Sequence, residues 1–264
     1  MTLNILCIGD VVGQPGRGML ADHLPTLIEQ HQIDLVVCNA ENAAGGSGLT
    51  PQIYQKIRHY GVDVVTLGDH VFKRVDIANT LDADAHIIRP MNISPLAAGK
   101  GWTIVPTRSG IQAGVACILG QTYMNAKSDS PWQTVDAALR QMREAPIKII
   151  DCHAEATSEK IAMGWHVAGR ASIVFGTHTH VATADACILE GGTAYITDVG
   201  MTGPHDGVLG RKKDCVLHNL KTSMPIRFDV ADGDPRLCGV LVGVDGETGK
   251  AQTIERIEVC GRTE

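Results

Sequence analysis

The feature that most constrains this chain is a recurring arrangement in which a short apolar run of β type ends on residues able to ligate a metal. Such runs cover Ile5–Gly9, Leu35–Asn39, Val64–Gly68, Ile147–Ile150, Ile173–Gly176 and Tyr195–Thr197. Five of the ends read Gly9-Asp10, Asn39-Ala40-Glu41-Asn42, Gly68-Asp69-His70, Asp151-Cys152-His153 and Gly176-Thr177-His178-Thr179-His180. Helix-like stretches lie between several runs, with Leu20, Leu24, Leu27 and Ile28 on one face of the first and Trp132, Val135, Leu139 and Met142 on one face of another. That alternation predicts an α/β protein with covered sheets. Covered sheets place functional groups outside the carboxyl ends of their strands, where side chains leave the core and converge.

The stretch from about Pro225 to Val259 changes character. It predicts strands at Ile226–Val230, Leu237–Val244 and Thr253–Val259, with a turn at Ala231-Asp232-Gly233-Asp234, a meander that extends a sheet. No internal repeat and no long Pro/Gly/Ser-rich linker interrupts the chain, so residues 1–264 are expected to form one domain. A small cap over residues about 71–100 is left open.

Composition narrows the function. Aromatic residues make up 4% of the chain, the net charge is −6 and no run of Lys or Arg occurs, which argues against binding duplex nucleic acid or stacking single strands. A small anionic substrate held by metal is compatible with this balance. An acidic residue already at position 10, no basic leader and no long apolar run point to a cytoplasmic protein without a membrane span. The 8 cysteines form no C-x-x-C pair and are expected to be reduced, buried thiols.

Carboxylate, amide and imidazole ligands without thiolate suit Mn, Fe or Zn better than Ca or Mg, and six or more of them exceed what one open catalytic metal needs. Two metals about 3.5–4 Å apart can polarise a phosphoryl group and generate a nucleophile at neutral pH. Glu41 is the expected bridging carboxylate. His178 and His180, two residues apart, point to one side of an extended chain, so each can serve one metal. Glu155, His166, His205 and Asp198 are candidates for supporting or substrate-side roles. His23, His31, His59, His86 and His218 lack such context.

The order of these motifs resembles that of the calcineurin-like metallophosphoesterases. Asp10 is followed by Val11-Val12 instead of a His two positions on, and Glu41 stands in Asn39-Ala40-Glu41-Asn42-Ala43-Ala44-Gly45. These departures resemble the YmdB-type bacterial branch, as do Gly9-Asp10-Val11-Val12-Gly13, the segment from Asp151 to Lys160 and the segment from Ala194 to Gly203. The resemblance implies a four-layer α/β/β/α sandwich, often oligomeric. It implies two metal ions per subunit, Fe or Mn with Zn as the third choice, the first held by Asp10, Glu41, Asn42 and His180 and the second by Glu41, Asp69, His153 and His178. It further implies hydrolysis of phosphodiesters, notably 2′,3′-cyclic nucleotides such as 2′,3′-cAMP, by a metal-bridging hydroxide, with His70 as proton donor to the leaving oxygen. Asp69 departs from the family's G-N-H, adding one negative charge. A phosphomonoesterase or protein phosphatase on the same centre is the alternative enzyme. A metal-dependent regulatory, RNA-associated protein is the alternative of another class. No G-x-S-x-G, Walker A or catalytic-cysteine pattern competes.

Overall fold

The computed structural model describes residues 1–261. In chain order the elements are β1 (Thr2–Ile8), α1 (Gly13–Gln30), β2 (Ile33–Asn39), α2 (Pro51–His59), β3 (Val64–Thr66), α3 (Ala78–Ala83), β4 (Ile87–Ile88), β5 (Trp102–Pro106) and β6 (Gln112–Leu119). There follow α4 (Pro131–Gln141), β7 (Ile147–His153), α5 (Thr157–Val167), β8 (Ile173–Thr177), β9 (Cys187–Leu189), β10 (Thr193–Ile196), β11 (Gly203–Pro204), α6 (Lys213–Thr222), β12 (Pro235–Asp245) and β13 (Ala251–Cys260). A 3₁₀ turn at Val75–Ile77 precedes α3.

Two sheets result. One runs β11-β12-β1-β2-β3-β4 with β13 on β12, and the other runs β5-β6-β7-β8-β10-β9. β1 to β4 are mutually parallel, as are β6, β7, β8 and β10; antiparallel strands close every edge except that of β4.

Strand alternation explains how the sheets pack. Leu3, Ile5 and Cys7 of β1 and Leu35 and Val37 of β2 share one core with Val115, Ile149, Ile173 and Phe175 of the other sheet. The intervening Leu6, Ile8, Val36 and Cys38 face a second core with Leu20 and Leu24 of α1 and Tyr54 and Ile57 of α2. On the other sheet, Ile150, Cys152 and Val174 meet Val135 of α4 and Met163 of α5. Both faces of each central strand are therefore apolar, which is why these runs read as nearly continuous hydrophobic segments. Residues 71–100 contribute Ile77, Leu81 and Ile87 to the core beneath α1 and α2.

Two expectations need correction, and one strand, β6, was not foreseen. Ile226–Val230 is not a strand: only Val230 forms an isolated bridge, to Arg211, while Ile226 and Phe228 are exposed and join no sheet. β6 carries no ligand signal and is rich in Ala, Gly and Cys, so propensity does not announce it, yet it is buried along nearly its whole length. All eight cysteines are free, but Cys187 and Cys260 are exposed and Cys215 is partly so; the other five are buried. No helix among the described residues is long and apolar enough to cross a membrane.

Truncating Leu35, fully buried between the sheets, to Ala should cost about 2–5 kcal/mol in urea denaturation, whereas Ile226→Ala should stay within about 0.5 kcal/mol.

Candidate metal centre

The parallel strands of both sheets end on the same side, and the five motifs meet there. Glu41, Asp69, His153 and His178 each offer one ligand atom, and these atoms all lie within 4.8 Å of one another, a group that could hold a metal ion. His153 Nε2 lies 3.4 Å from Glu41 Oε1 and 3.2 Å from Asp69 Oδ1, and His178 Nδ1 lies 3.4 Å from the same Asp69 oxygen. Asn42 meets this group at Glu41, His180 follows from Asn42, and Asp10 Oδ2 accepts the His178 N–H at 3.0 Å. Asn42 Nδ2 lies 3.2 Å from both Glu41 Oε1 and His180 Nε2, and His180 Nε2 is 3.9 Å from Asp10 Oδ1. His70 donates its backbone N–H to Glu41 Oε2 at 3.0 Å, and its Nδ1 meets Asn42 Oδ1 at 2.7 Å.

Local backbone makes this convergence fit. A Cβ on Gly68 would overlap His153 Nε2 and Glu41 Oε2, so only glycine lets β3 pass this close to the cluster. His178 and His180 sit at φ +94° and +65°, a region that costs a non-glycine residue free energy and persists only where the surroundings hold it. The hold comes from a buried ion pair. Lys160 Nζ donates to Asp198 Oδ2 at 2.7 Å and to the Thr177 carbonyl at 2.6 Å, and Asp198 also accepts from Thr179 Oγ1 and the Thr179 and Gly200 N–H groups.

Two observations speak to a cation. Asp10 Oδ1 is buried and has no hydrogen-bond partner, an expensive state for a carboxylate oxygen unless a positive charge faces it. Each imidazole also has one nitrogen engaged on its outer side and the other turned inward, as ligating histidines do. His153 Nδ1 lies 2.8 Å from Thr177 Oγ1, His178 Nε2 lies 3.2 Å from Glu155 Oε2, and His180 Nδ1 lies 3.2 Å from the Leu209 carbonyl.

The charges of the protein alone say the same. Burial pushes the Glu41 carboxyl up, but the charge and hydrogen bond of His153 outweigh it and hold it well below the usual range; Asp69 is lowered likewise by His153 and His178. Burial works to lower His153, yet Glu41 and Asp69 raise it well above the usual imidazole value. Protons on His153 thus supply positive charge where a metal would. Burial lifts Asp151 to about 6 against the pull of His153, Thr177, Thr66 and Asn39.

Of the supporting candidates, Glu155 reaches His178 and Asp198 holds the His178–His180 turn. His166 lies apart, against Asp136 and Trp132, and His205 contacts the Met201 carbonyl. Sequence reasoning assigned no role to Lys160, Asp151, Thr177 or Arg211, whose guanidinium holds the Gly45 and Gly46 carbonyls. The signal for Asp151 was a carboxylate set inside an apolar strand; Arg211 carried none.

The sequence profile of the YmdB-like protein family matches residues 6–257. The chain is 44% identical over 256 residues to a 2′,3′-cyclic-nucleotide 2′-phosphodiesterase of Bacillus subtilis (strain 168), covering 97% of this chain and 96% of the relative. A crystal structure of a hypothetical protein from Thermus thermophilus superposes with TM-score 0.92 at 35% identity, covering 98% of this chain and 100% of that one. A crystal structure of a novel phosphatase from Mycoplasma pneumoniae gives TM-score 0.92 at 31% identity, covering 98% and 94%.

Two outcomes follow from this geometry. Lys160→Met leaves the Asp198 carboxylate buried and unpaired, and should cost about 3–5 kcal/mol in denaturant unfolding, with much of the loss recovered in Lys160→Met/Asp198→Asn. Metal binding must displace the His153 proton, which is present at neutral pH because that pKa is raised, so apparent Mn(II) affinity should climb about tenfold per pH unit until the pH passes that pKa. Calorimetric titration in buffers of different ionisation enthalpy would count the released proton; an affinity independent of pH without proton release would contradict it.

Proposed function

Since the chain belongs to the YmdB-like family, we propose that it is a dimetal phosphodiesterase acting on 2′,3′-cyclic nucleotides. The observation that supports this reading is the cluster of Glu41, Asp69, His153 and His178 with Asn42 set against Glu41, together with the B. subtilis relative named for that activity. Asp10, Glu41, Asn42 and His180 would hold one ion, and Glu41, Asp69, His153 and His178 the other. Mn or Fe suits this oxygen and nitrogen set, with Zn as the third choice. Bound there, the two ions supply Lewis acidity toward phosphoryl oxygens and a nucleophile at neutral pH.

The chain's own residues do the rest. Turning the Asn42 amide by 180° brings Oδ1 inward, toward Glu41 Oε1 and His180 Nε2, and leaves Nδ2–H to donate to His70 Nδ1. His70 Nε2 then carries the proton. Its ring is partly exposed, 29%, at the edge of the cluster, where it can protonate a departing ribose oxygen. Glu41 steadies the His70 backbone and Asn42 its ring, so the donor's position is tied to the ligands. The two packed sheets with helices on their outer faces support the four-layer α/β/β/α sandwich as the architecture. A phosphomonoesterase is the second reading, favoured by the M. pneumoniae structure described as a phosphatase.

Rates on 2′,3′-cAMP, a phosphomonoester and a linear diester, measured with Mn-loaded protein beside metal content, separate these. The cyclic diester should be preferred, Glu41→Gln should lose both metal and turnover, and His70→Gln should keep its metal while kcat falls about 10²–10⁴-fold. Two bound ions without cyclic-diester turnover would sink the substrate assignment.

A further inference from the structure

Asp151 is fully buried on β7, on the face that meets the opposite sheet, two residues before His153 on the same side of the strand. A carboxylate in that apolar layer is costly, and a packed aliphatic residue would fill the position more cheaply. Its partners come from three other strands. Oδ1 accepts from Thr177 Oγ1 of β8 at 2.6 Å, and Oδ2 accepts from Asn39 Nδ2 of β2 at 3.0 Å and from Thr66 Oγ1 of β3.

The decisive group is the Thr177 hydroxyl, which has one hydrogen. That hydrogen is committed to Asp151, so toward His153 Nδ1, 2.8 Å away, Oγ1 can only accept. Nδ1 must therefore carry a proton. The competing arrangement has Nδ1 accepting from Asn39 Nδ2, but that contact is longer, 3.3 Å. It would also set the Nδ1 lone pair against the Thr177 oxygen, or draw the hydroxyl hydrogen away from a buried carboxylate. With Nδ1 keeping its proton, the nitrogen that gives its proton up to a bound ion is Nε2, which faces Glu41, Asp69 and His178.

We propose that Asp151 is a positioning residue that acts through the Thr177 hydroxyl to fix His153 in the Nδ1–H tautomer, presenting Nε2 to the metal ion. This rests on reading the cluster as a metal centre. The Asp151–Thr177–His153 chain is an outer-sphere device in which a hydroxyl stands between carboxylate and imidazole, and it links ligand geometry to both sheets at once.

The test uses the full-length protein with Mn(II) affinity measured by chelator competition, and with Zn(II) bound for nitrogen-15 NMR of the His153 ring. Thr177→Val should weaken Mn binding by about 10–100-fold, Thr177→Ser should restore it to within about threefold of wild type, and Asp151→Asn should weaken it in the Thr177 background but add little to Thr177→Val. The wild-type spectrum should show a protonated Nδ1 and a metal-bound Nε2. That measurement needs no variant, so a Thr177→Val protein that fails to fold does not remove the test. A metal-bound Nδ1, or Thr177→Val with wild-type affinity, would overturn the proposal while leaving the centre intact. A folded wild type that binds neither ion would overturn the metal-centre reading and this proposal with it.

Discussion

The structure turns on a problem of charge. Asp10 and Glu41 are withdrawn from water almost completely, Asp69 lies beside them, and no Lys or Arg side chain pairs with any of the three among the described residues. Carboxylates cannot be gathered this way without positive charge close by. In the protein alone, imidazole protons answer part of that demand, which is why His153 binds its proton so firmly despite complete burial. They do not answer all of it, since Asp10 Oδ1 faces no donor. Divalent ions at the proposed centre would meet the rest of the demand, and the remaining features of the site are arrangements that keep these side chains in place.

Those arrangements differ by strand. Gly68 gives the cluster room, because any side chain there would occupy the space between Glu41 and His153. The turn carrying His178 and His180 bears unfavourable backbone angles, and the Lys160–Asp198 pair fastens it from beneath. The three imidazoles are aimed by three different acceptors: a hydroxyl at Thr177, a carboxylate at Glu155 and a backbone carbonyl at Leu209. The last lies on the loop that Arg211 ties to Gly45 and Gly46, just beyond Asn42. One surface segment thus touches the His180 side and the Asn42 side of the centre together.

Much of this was legible in the sequence because ligands at strand ends impose a local pattern: an apolar run must stop where a carboxylate or imidazole begins. The central parallel strands, α1 and α4 follow from that pattern and from helical spacing. β6 escaped because Ala113, Gly114, Ala116 and Cys117 pack between strands without β-branched side chains, so tertiary burial decided what propensity did not. Ile226–Val230 misled for the opposite reason, as apolar residues of strand type lie exposed with one isolated bridge, at Val230. Lys160 and Arg211 were illegible as site residues because their partners are backbone carbonyls and a carboxylate distant in sequence, and no spacing rule encodes such contacts.

Asp69 shows how one departure from a family pattern can be absorbed. Its carboxylate adds negative charge to a centre already rich in it, which strengthens the hold on a cation and opposes an anionic phosphate. The two effects do not act from the same depth. Asp69 is 23% exposed where Glu41 is 1%, so water screens the outer carboxylate far more than the inner one. Its Oδ1 nonetheless meets both His153 Nε2 and His178 Nδ1, the inward nitrogens of the same cluster. In the proposed centre the extra charge would be felt most by an ion held in the cluster and least by a substrate approaching from the solvent side. If the cluster holds metal as proposed, an acid at this rim position would favour metal retention at smaller cost to substrate approach than the same acid at the position of Asn42, which is buried between Glu41 and His180.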